Sequence, residues 1–285
     1  VRLFALSDLH VNHAKNRDTL LAMPAHPDDW LVLAGDLGEK LDHLEWVFRL
    51  LGPRWAQLIW VPGNHELYTP PSEEPGGLRG VARYQAMCEL AERYGVLHPE
   101  SDYLPWPGDP TLRICPLFLL YDYSFCPPGL SPAEAVRWAA EDRIRASDET
   151  YLHPDPFPTR QDWCATRVTT TAARLDALNG QRTVLINHWP LRLDLVRLFA
   201  IPRFIPWCGT QQTTDWHTRY NAEVVISGHL HMRATDWRDG HRFEEVSLGY
   251  PRHWRDQTGA AGYLRQILPG PPPPAHPDAG PLWFR

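Results

Sequence analysis

Five short blocks of the chain end in residue types that bind cations: Asp8 and His10, then Asp36, then Asn64 and His65, then His188, then His229 and His231. Imidazole suits zinc, iron and nickel, while carboxylate and amide oxygens suit manganese and magnesium. The mixed set therefore fits two hard-to-borderline cations. Asp8 and His10 are two residues apart, as are His229 and His231, so an extended backbone would put both members of each pair on one side. A carboxylate can bridge two ions through its two oxygens, and Asp36 has no neighbouring rival for that role. Gly35, Gly63 and Gly228 precede ligand positions, where glycine permits a tight turn against an ion. Two cations about 3.5–4 Å apart clamp the attacking and leaving oxygens of an in-line displacement.

Something must bring these blocks together. Each follows a short apolar run: Leu3–Leu6, Trp30–Ala34, Leu58–Val61, Thr183–Ile186 and Val224–Ile226. Short, partly β-branched runs of this kind read as buried strands. Between them lie helical patterns at Leu41–Leu51, Val81–Tyr94 and Arg167–Leu178, each with an apolar face. Strands alternating with helices indicate an α/β fold. In open α/β sheets the loops at the strand carboxyl ends form the ligand crevice, so five strands would deliver the donors to one sheet edge. A Pro- and aromatic-rich stretch, about 99–163, breaks the rhythm. It reads as a lid-like insertion with one strand (Leu112–Leu120) and one helix (Pro132–Arg145) in a single domain spanning 1–268. Residues 70–80 read as a loop. The Pro-rich tail, 269–285, with four consecutive prolines, favours extended, mobile geometry.

Asp8-x-His10, Gly35-Asp36, Gly63-Asn64-His65-Glu66, the single His188 and Gly228-His229-x-His231, in that order, together resemble the calcineurin-like metallophosphoesterase superfamily. The resemblance implies two packed mixed β-sheets flanked by helices. It implies that Asp8, His10 and His231 hold one metal, that Asn64, His188 and His229 hold the second, and that Asp36 bridges them. It places His65 over the site as a proton donor rather than a ligand. The activity implied is hydrolysis of a phosphate mono- or diester of a small molecule, by a metal-bridging hydroxide with His65 as general acid. The cofactors implied are two metal ions: manganese, iron or zinc. The Ser/Thr phosphatase branch extends its second block to G-D-x-x-D-R-G. Here Glu39 and Lys40 stand instead, so the pattern is nearer to small bacterial phosphohydrolases and class III cyclic-nucleotide phosphodiesterases. A nuclease of the same superfamily and a non-catalytic metal-binding scaffold are the alternative readings.

Substrate contacts carry weaker signals. Trp189 directly follows a ligand position, and His13 lies three residues after another. Arg143 and Arg160 lie in the 99–163 stretch and have the fork geometry that captures phosphate. For the arginines a solvated helix face competes with this reading, and for Trp189 core packing does. Glu66 reads as a supporting or capping residue. Tyr250–Trp254 lie near enough to the last block to reach the site, but nothing in the sequence compels it.

Composition removes several function classes. The 285 residues carry 28 basic and 34 acidic side chains, a formal charge of −6, so no basic field is present to hold a nucleic-acid backbone. No apolar run approaches the roughly 18 residues of a membrane span. Five scattered cysteines without C-x-x-C spacing argue for reduced thiols rather than a disulfide framework or zinc ribbon. The expected location is the cytoplasm.

Overall fold

Successive strand residues point to opposite faces of a sheet, and in the central strands of this chain both faces are apolar. Leu3 and Ala5, Val32 and Ala34, Ile59 and Val61, Val184 and Ile186, and Val224 and Ile226 share one buried layer. Their strand neighbours Phe4 and Leu6, Leu31 and Leu33, Leu58 and Trp60, Leu185 and Val225 belong to a second layer with the helices. Such two-sided runs require a covered sheet on both faces. Each fully buried branched side chain contributes about 1.5–3 kcal/mol.

The computed structural model describes residues 1–73 and 76–284. Glu74 and Pro75, in the expected 70–80 loop, and Arg285, at the end of the tail, lie outside the described residues. In chain order the elements are β1 (Leu3–Leu6), α1 (Ala14–Leu21), β2 (His26–Leu33), α2 (Leu41–Leu51), β3 (Trp55–Trp60), α3 (Asn64–Leu67), α4 (Gly80–Arg93), β4 (Pro105–Trp106), β5 (Asp109–Pro116), α5 (Pro132–Glu141), α6 (Asp148–Tyr151), α7 (Arg160–Asp176), β6 (Arg182–Ile186), α8 (Trp216–Arg219), β7 (Ala222–Ser227), β8 (Ala234–Arg238), β9 (His241–Glu245), β10 (Arg265–Leu268) and β11 (Leu282–Trp283). One sheet has the order β10-β1-β2-β3 and the other β11-β8-β9-β7-β6-β5-β4. β1, β2 and β3 run parallel, as do β5, β6, β7 and β9, while β10, β4, β8 and β11 pair antiparallel with their neighbours. This is the expected pair of mixed sheets with helices outside.

The helix boundaries follow local chemistry. α2 buries Leu44, Val47, Phe48 and Leu51 on one face. α7 starts at Arg160 rather than at the expected Arg167, because the Thr159 hydroxyl accepts from the Asp162 N–H at 3.1 Å and caps the extra turns. α5 starts at Pro132, after a reciprocal Ser131–Glu134 cap. It stops at Glu141, short of the expected Arg145, and Arg143 beyond it takes a left-handed conformation with φ of 60°.

Two expectations are redrawn. The 99–163 stretch is not one lid-like insertion, because β5 pairs in parallel with β6 inside the larger sheet. Only the segment after β5 is elaborated: Leu117 N–H still donates to Ile186 O, and beyond it the Asn187 side chain takes both backbone groups of Leu119. The tail from 269 is also structured. Leu282 and Trp283 pair with Thr235 and Ala234, the N–H of Trp237 donates to Ala279 O at 2.7 Å, and Arg265 lies over the Phe284 ring. Among the described residues no helix is long and apolar enough to cross a membrane, and the five cysteines are unpaired.

Candidate metal centre

The loops after β1, β2 and β3 of one sheet and after β6 and β7 of the other bring together all eight residues singled out from the sequence, at the carboxyl ends of two sheets rather than at the expected single sheet edge. Asp36 Oδ2 is the focus: His188 Nε2 lies 3.5 Å away, and His10 Nε2 and His65 Nε2 each 3.9 Å away. Asp36 Oδ1 accepts the backbone N–H of His65 at 3.0 Å. One oxygen thus anchors the loop and the other faces the imidazoles. Asp8 divides its oxygens likewise. Oδ2 accepts from Ser7, Ser247 and the His229 N–H at 2.6, 2.7 and 3.1 Å, and Oδ1 lies 2.9 Å from His231 Nε2. His10 Nε2 and His231 Nε2 are 3.3 Å apart.

The backbone here differs from the extended pairs inferred from spacing. Asp8, His10, Asp36, His229 and His231 all have positive φ, between 40° and 72°. Left-handed turns rather than extended strand aim these side chains, at about 1–3 kcal/mol each. Close approach also explains two glycines. A Cβ on Gly35 would strike the His188 ring, and one on Gly63 would overlap Asp36 Oδ1.

The donor set fits bound cations. Asn64 Oδ1, His188 Nε2 and His229 Nε2 are buried without a hydrogen-bond partner, while the opposite atoms of two of these side chains are tied down. Asn64 Nδ2 donates to Tyr68 and Asp148 at 2.8 and 3.0 Å, and His188 Nδ1 donates to Ala34 O at 2.8 Å. Burial pushes His188 down to about 4 and holds His10 and His229 well below the ordinary histidine value, so each ring keeps the lone pair a cation needs. Burial, with Glu66 and Asp8 nearby, pushes the Asp36 carboxyl well above the usual range. A cation between these groups would relieve that cost. Asp8 with His10 and His231, and Asp8 with Asp36 and His188, form ligand-sized clusters. His10, Asp36 and His65 form another.

His65 stands at the rim, its side chain 17% exposed, with Nδ1 held by Glu39 Oε1 at 3.2 Å. That contact turns Nε2 inward. Sequence reasoning read Glu39 only as a departure from the phosphatase motif, although its place three residues after Asp36 was the available signal. The His65 pairing draws the Glu39 carboxyl below its ordinary value. Glu66 is buried and accepts the N–H groups of Asp36, Leu37 and Gly63 at 2.7–2.9 Å, stapling two ligand loops together. Asp148, on α6, was also missed; no local pattern marks it. The 250–253 loop does reach the site. Tyr250 stacks on His10 at 4.4 Å, and His253 Nδ1 lies 3.0 Å from His231 Nδ1, fixing that ring as metal-binding histidines are usually fixed.

A cavity of about 600 Å³ opens over the centre, lined by Asp36, Asn64, His65, residues 197–201, Phe204, residues 229–232, Tyr250, Arg252 and His253. Residues 197–201 and Phe204 line it, and no residue of 99–163 does. Of the weaker substrate-contact candidates, Trp189 is fully buried and packs edge-on beneath His188, so it does not line the cavity. The Arg160 guanidinium is taken up by Leu152 O, Asp148 O, Tyr123 and Glu149. Arg143 sits past α5 and is not among the lining residues. His13 lies on the far side of the Tyr250 ring, 5.6 Å between centroids.

A calcineurin-like phosphoesterase family model matches residues 1–233. The sequence is 48% identical over 274 residues to the acyl-carrier-protein phosphodiesterase PptH of Mycobacterium tuberculosis, covering 94% of this chain and 84% of that protein. The crystal structure of phosphopantetheinyl hydrolase (PptH) from Mycobacterium tuberculosis matches with a TM-score of 0.88 at 47% identity, covering 95% of this chain and 96% of that one.

Proposed function

The chain belongs to the calcineurin-like phosphoesterase family and is a metal-dependent phosphoric ester hydrolase; from that premise we propose that its substrate is the phosphodiester joining a phosphopantetheinyl group to an acyl carrier protein. The similarity to PptH along nearly the whole chain carries this reading. The cavity mouth supports it. Phe199 is 82% exposed and Ile201 43% exposed among the lining residues, an apolar rim of the kind that marks a contact with another macromolecule. The small-molecule expectation thereby becomes a small group delivered by a protein.

In this reading Asp8, His10 and His231 hold one cation, Asn64, His188 and His229 hold the other, and Asp36 serves both. When bound, two such ions lower the pKa of water toward about 7 and stabilise charge on the phosphoryl oxygens. The doubly protonated His65 gives its Nε2 proton to the oxygen that leaves phosphorus, while Glu39 accepts the Nδ1–H and orients the ring. The donor set accepts manganese, iron or zinc. Five unpaired cysteines, four of them buried, suit a reducing compartment and support the cytoplasm as the proposed location. A formal charge of −6 gives the nuclease reading nothing to rest on, and the complete donor set gives the scaffold reading nothing.

The test is incubation of the manganese-loaded protein with phosphopantetheinylated carrier, followed by intact-mass spectrometry. Bis-p-nitrophenyl phosphate and p-nitrophenyl phosphate serve as small controls. We expect unmodified carrier and free phosphopantetheine. Turnover of the small diester with an untouched carrier would sink the substrate assignment, and no turnover of any ester under several metals would sink the site.

A further inference from the structure

Two arginines line the cavity, and they are not equivalent. Both terminal nitrogens of Arg197 reach Asp236, at 2.8 Å each, so its charge is neutralised. Arg252 has no carboxylate or carbonyl partner among the described residues; its guanidinium lies over the Tyr250 ring, 5.1 Å from the centroid. Tyr250 in turn stacks on His10 at 4.4 Å with an interplanar angle of 24°. Arg252 is therefore one ring layer beyond a ligand candidate.

The loop carrying Arg252 is fixed on both sides. The Gly249 N–H donates to Asp8 O at 3.0 Å, and the His253 N–H closes a turn on Tyr250 O at 2.7 Å. Asn16 donates to Gly249 O at 3.0 Å and accepts from Trp254 Nε1 at 3.1 Å. Arg233 donates to His253 O at 2.6 Å. A clamped backbone presenting an exposed, unneutralised guanidinium is preorganised for an anion. Arg252 also lines a neighbouring concavity of about 490 Å³ with His13, Tyr250 and Pro251. It thus stands on the divider between two recesses, where its five donors can reach into either.

We propose that Arg252 determines specificity by engaging an oxyanion of the substrate at the cavity mouth. The oxyanion is a non-bridging phosphoryl oxygen or a carboxylate on the carrier beside the modified hydroxyl. The proposal rests on the phosphodiester reading above. Binding at this point raises the local concentration of an anionic ester next to the centre without taking part in bond breaking, so its signature is in KM.

The experiment compares wild type with Arg252→Ala and Arg252→Lys on bis-p-nitrophenyl phosphate and on phosphopantetheinylated carrier, at two salt concentrations, with metal content and Tm measured in parallel. In Arg252→Ala, KM should rise about tenfold, with kcat, metal content and Tm near wild type and with less salt dependence. Arg252→Lys should recover part of the loss. A rise with both substrates assigns the phosphoryl group; a rise with the carrier alone assigns its carboxylate. An unchanged KM with both substrates overturns the proposal, as does a KM change that tracks loss of metal or Tm. If wild type leaves the carrier intact, the substrate assignment falls, while the small-diester arm still decides the role of Arg252.

Discussion

Asp36 sets the residue scale of this site, because its Oδ2 alone faces three imidazole nitrogens within 3.9 Å. Asp36→Ala should therefore strip bound metal and activity together, read by elemental analysis and diester turnover; retention of full metal would remove Asp36 from the bridging position. His65 should behave differently. With Nδ1 on Glu39 and Nε2 turned inward from the rim, His65→Ala should keep its metal yet turn over about 10²–10⁴-fold more slowly. The loss should be greatest for esters with poor leaving groups, and loss of both metals would make His65 a ligand. The donors were legible in the sequence because their types carry the chemistry whatever the backbone does. Their geometry was not legible. The i, i+2 argument assumed extended backbone, and the left-handed φ at Asp8 and His10 cannot be read from D-x-H. Glu39, His253 and Arg252 escaped assignment because each meets the site through a contact made only in the fold.

At the scale of elements, α6 does a job its sequence does not announce. Asp148 accepts from Asn64 Nδ2 and from Tyr68 at 3.0 and 2.6 Å, which leaves Asn64 Oδ1 facing inward. Asp148→Ala should weaken manganese binding about 10–100-fold by calorimetry while circular dichroism stays native; an unchanged affinity would make the contact incidental. A second link joins α4 to α7 through the residues after α4. Arg167 pairs with Glu100 at 2.8 Å and lies over the Tyr84 ring. Burial alone would raise the Glu100 carboxyl, but Arg167 and the Tyr84 hydroxyl hold it below its ordinary 4.5. The group is depressed in the folded protein, so its contribution is complete above pH 4.5 and fades as pH falls through the lowered folded value. Thermal melts of wild type and Glu100→Gln should converge toward low pH; curves parallel from pH 7 to 3 would refute the linkage. The strands were legible because their two-sided apolar runs have few other solutions. The α7 start was missed although Trp163 and Cys164 continue the buried face of Val168 and Leu175, because the Pro- and aromatic-rich residues before them masked the helical period and the Thr159 cap went unread.

Across the whole molecule, the tail closes what would otherwise be an open sheet edge. Without β11, β8 would present unpaired backbone groups beside the loop carrying His231, and an exposed edge templates pairing between chains. Truncation after residue 270 should lower Tm and promote association visible by light scattering; a monomer melting like wild type would show the tail to be dispensable. Composition had suggested mobility because proline runs lack ladder donors, whereas the pairing residues are Leu282 and Trp283 beyond those runs. The five left-handed ligand candidates carry a longer-term consequence. Each is a site where glycine or asparagine would suit the backbone better than the aspartate or histidine that stands there. A lineage released from the need to hydrolyse esters would therefore become more stable by giving them up. Retention of Asp and His at these five positions in a descendant is thus a record of continued selection, and their replacement by glycine or asparagine would date the loss of the activity.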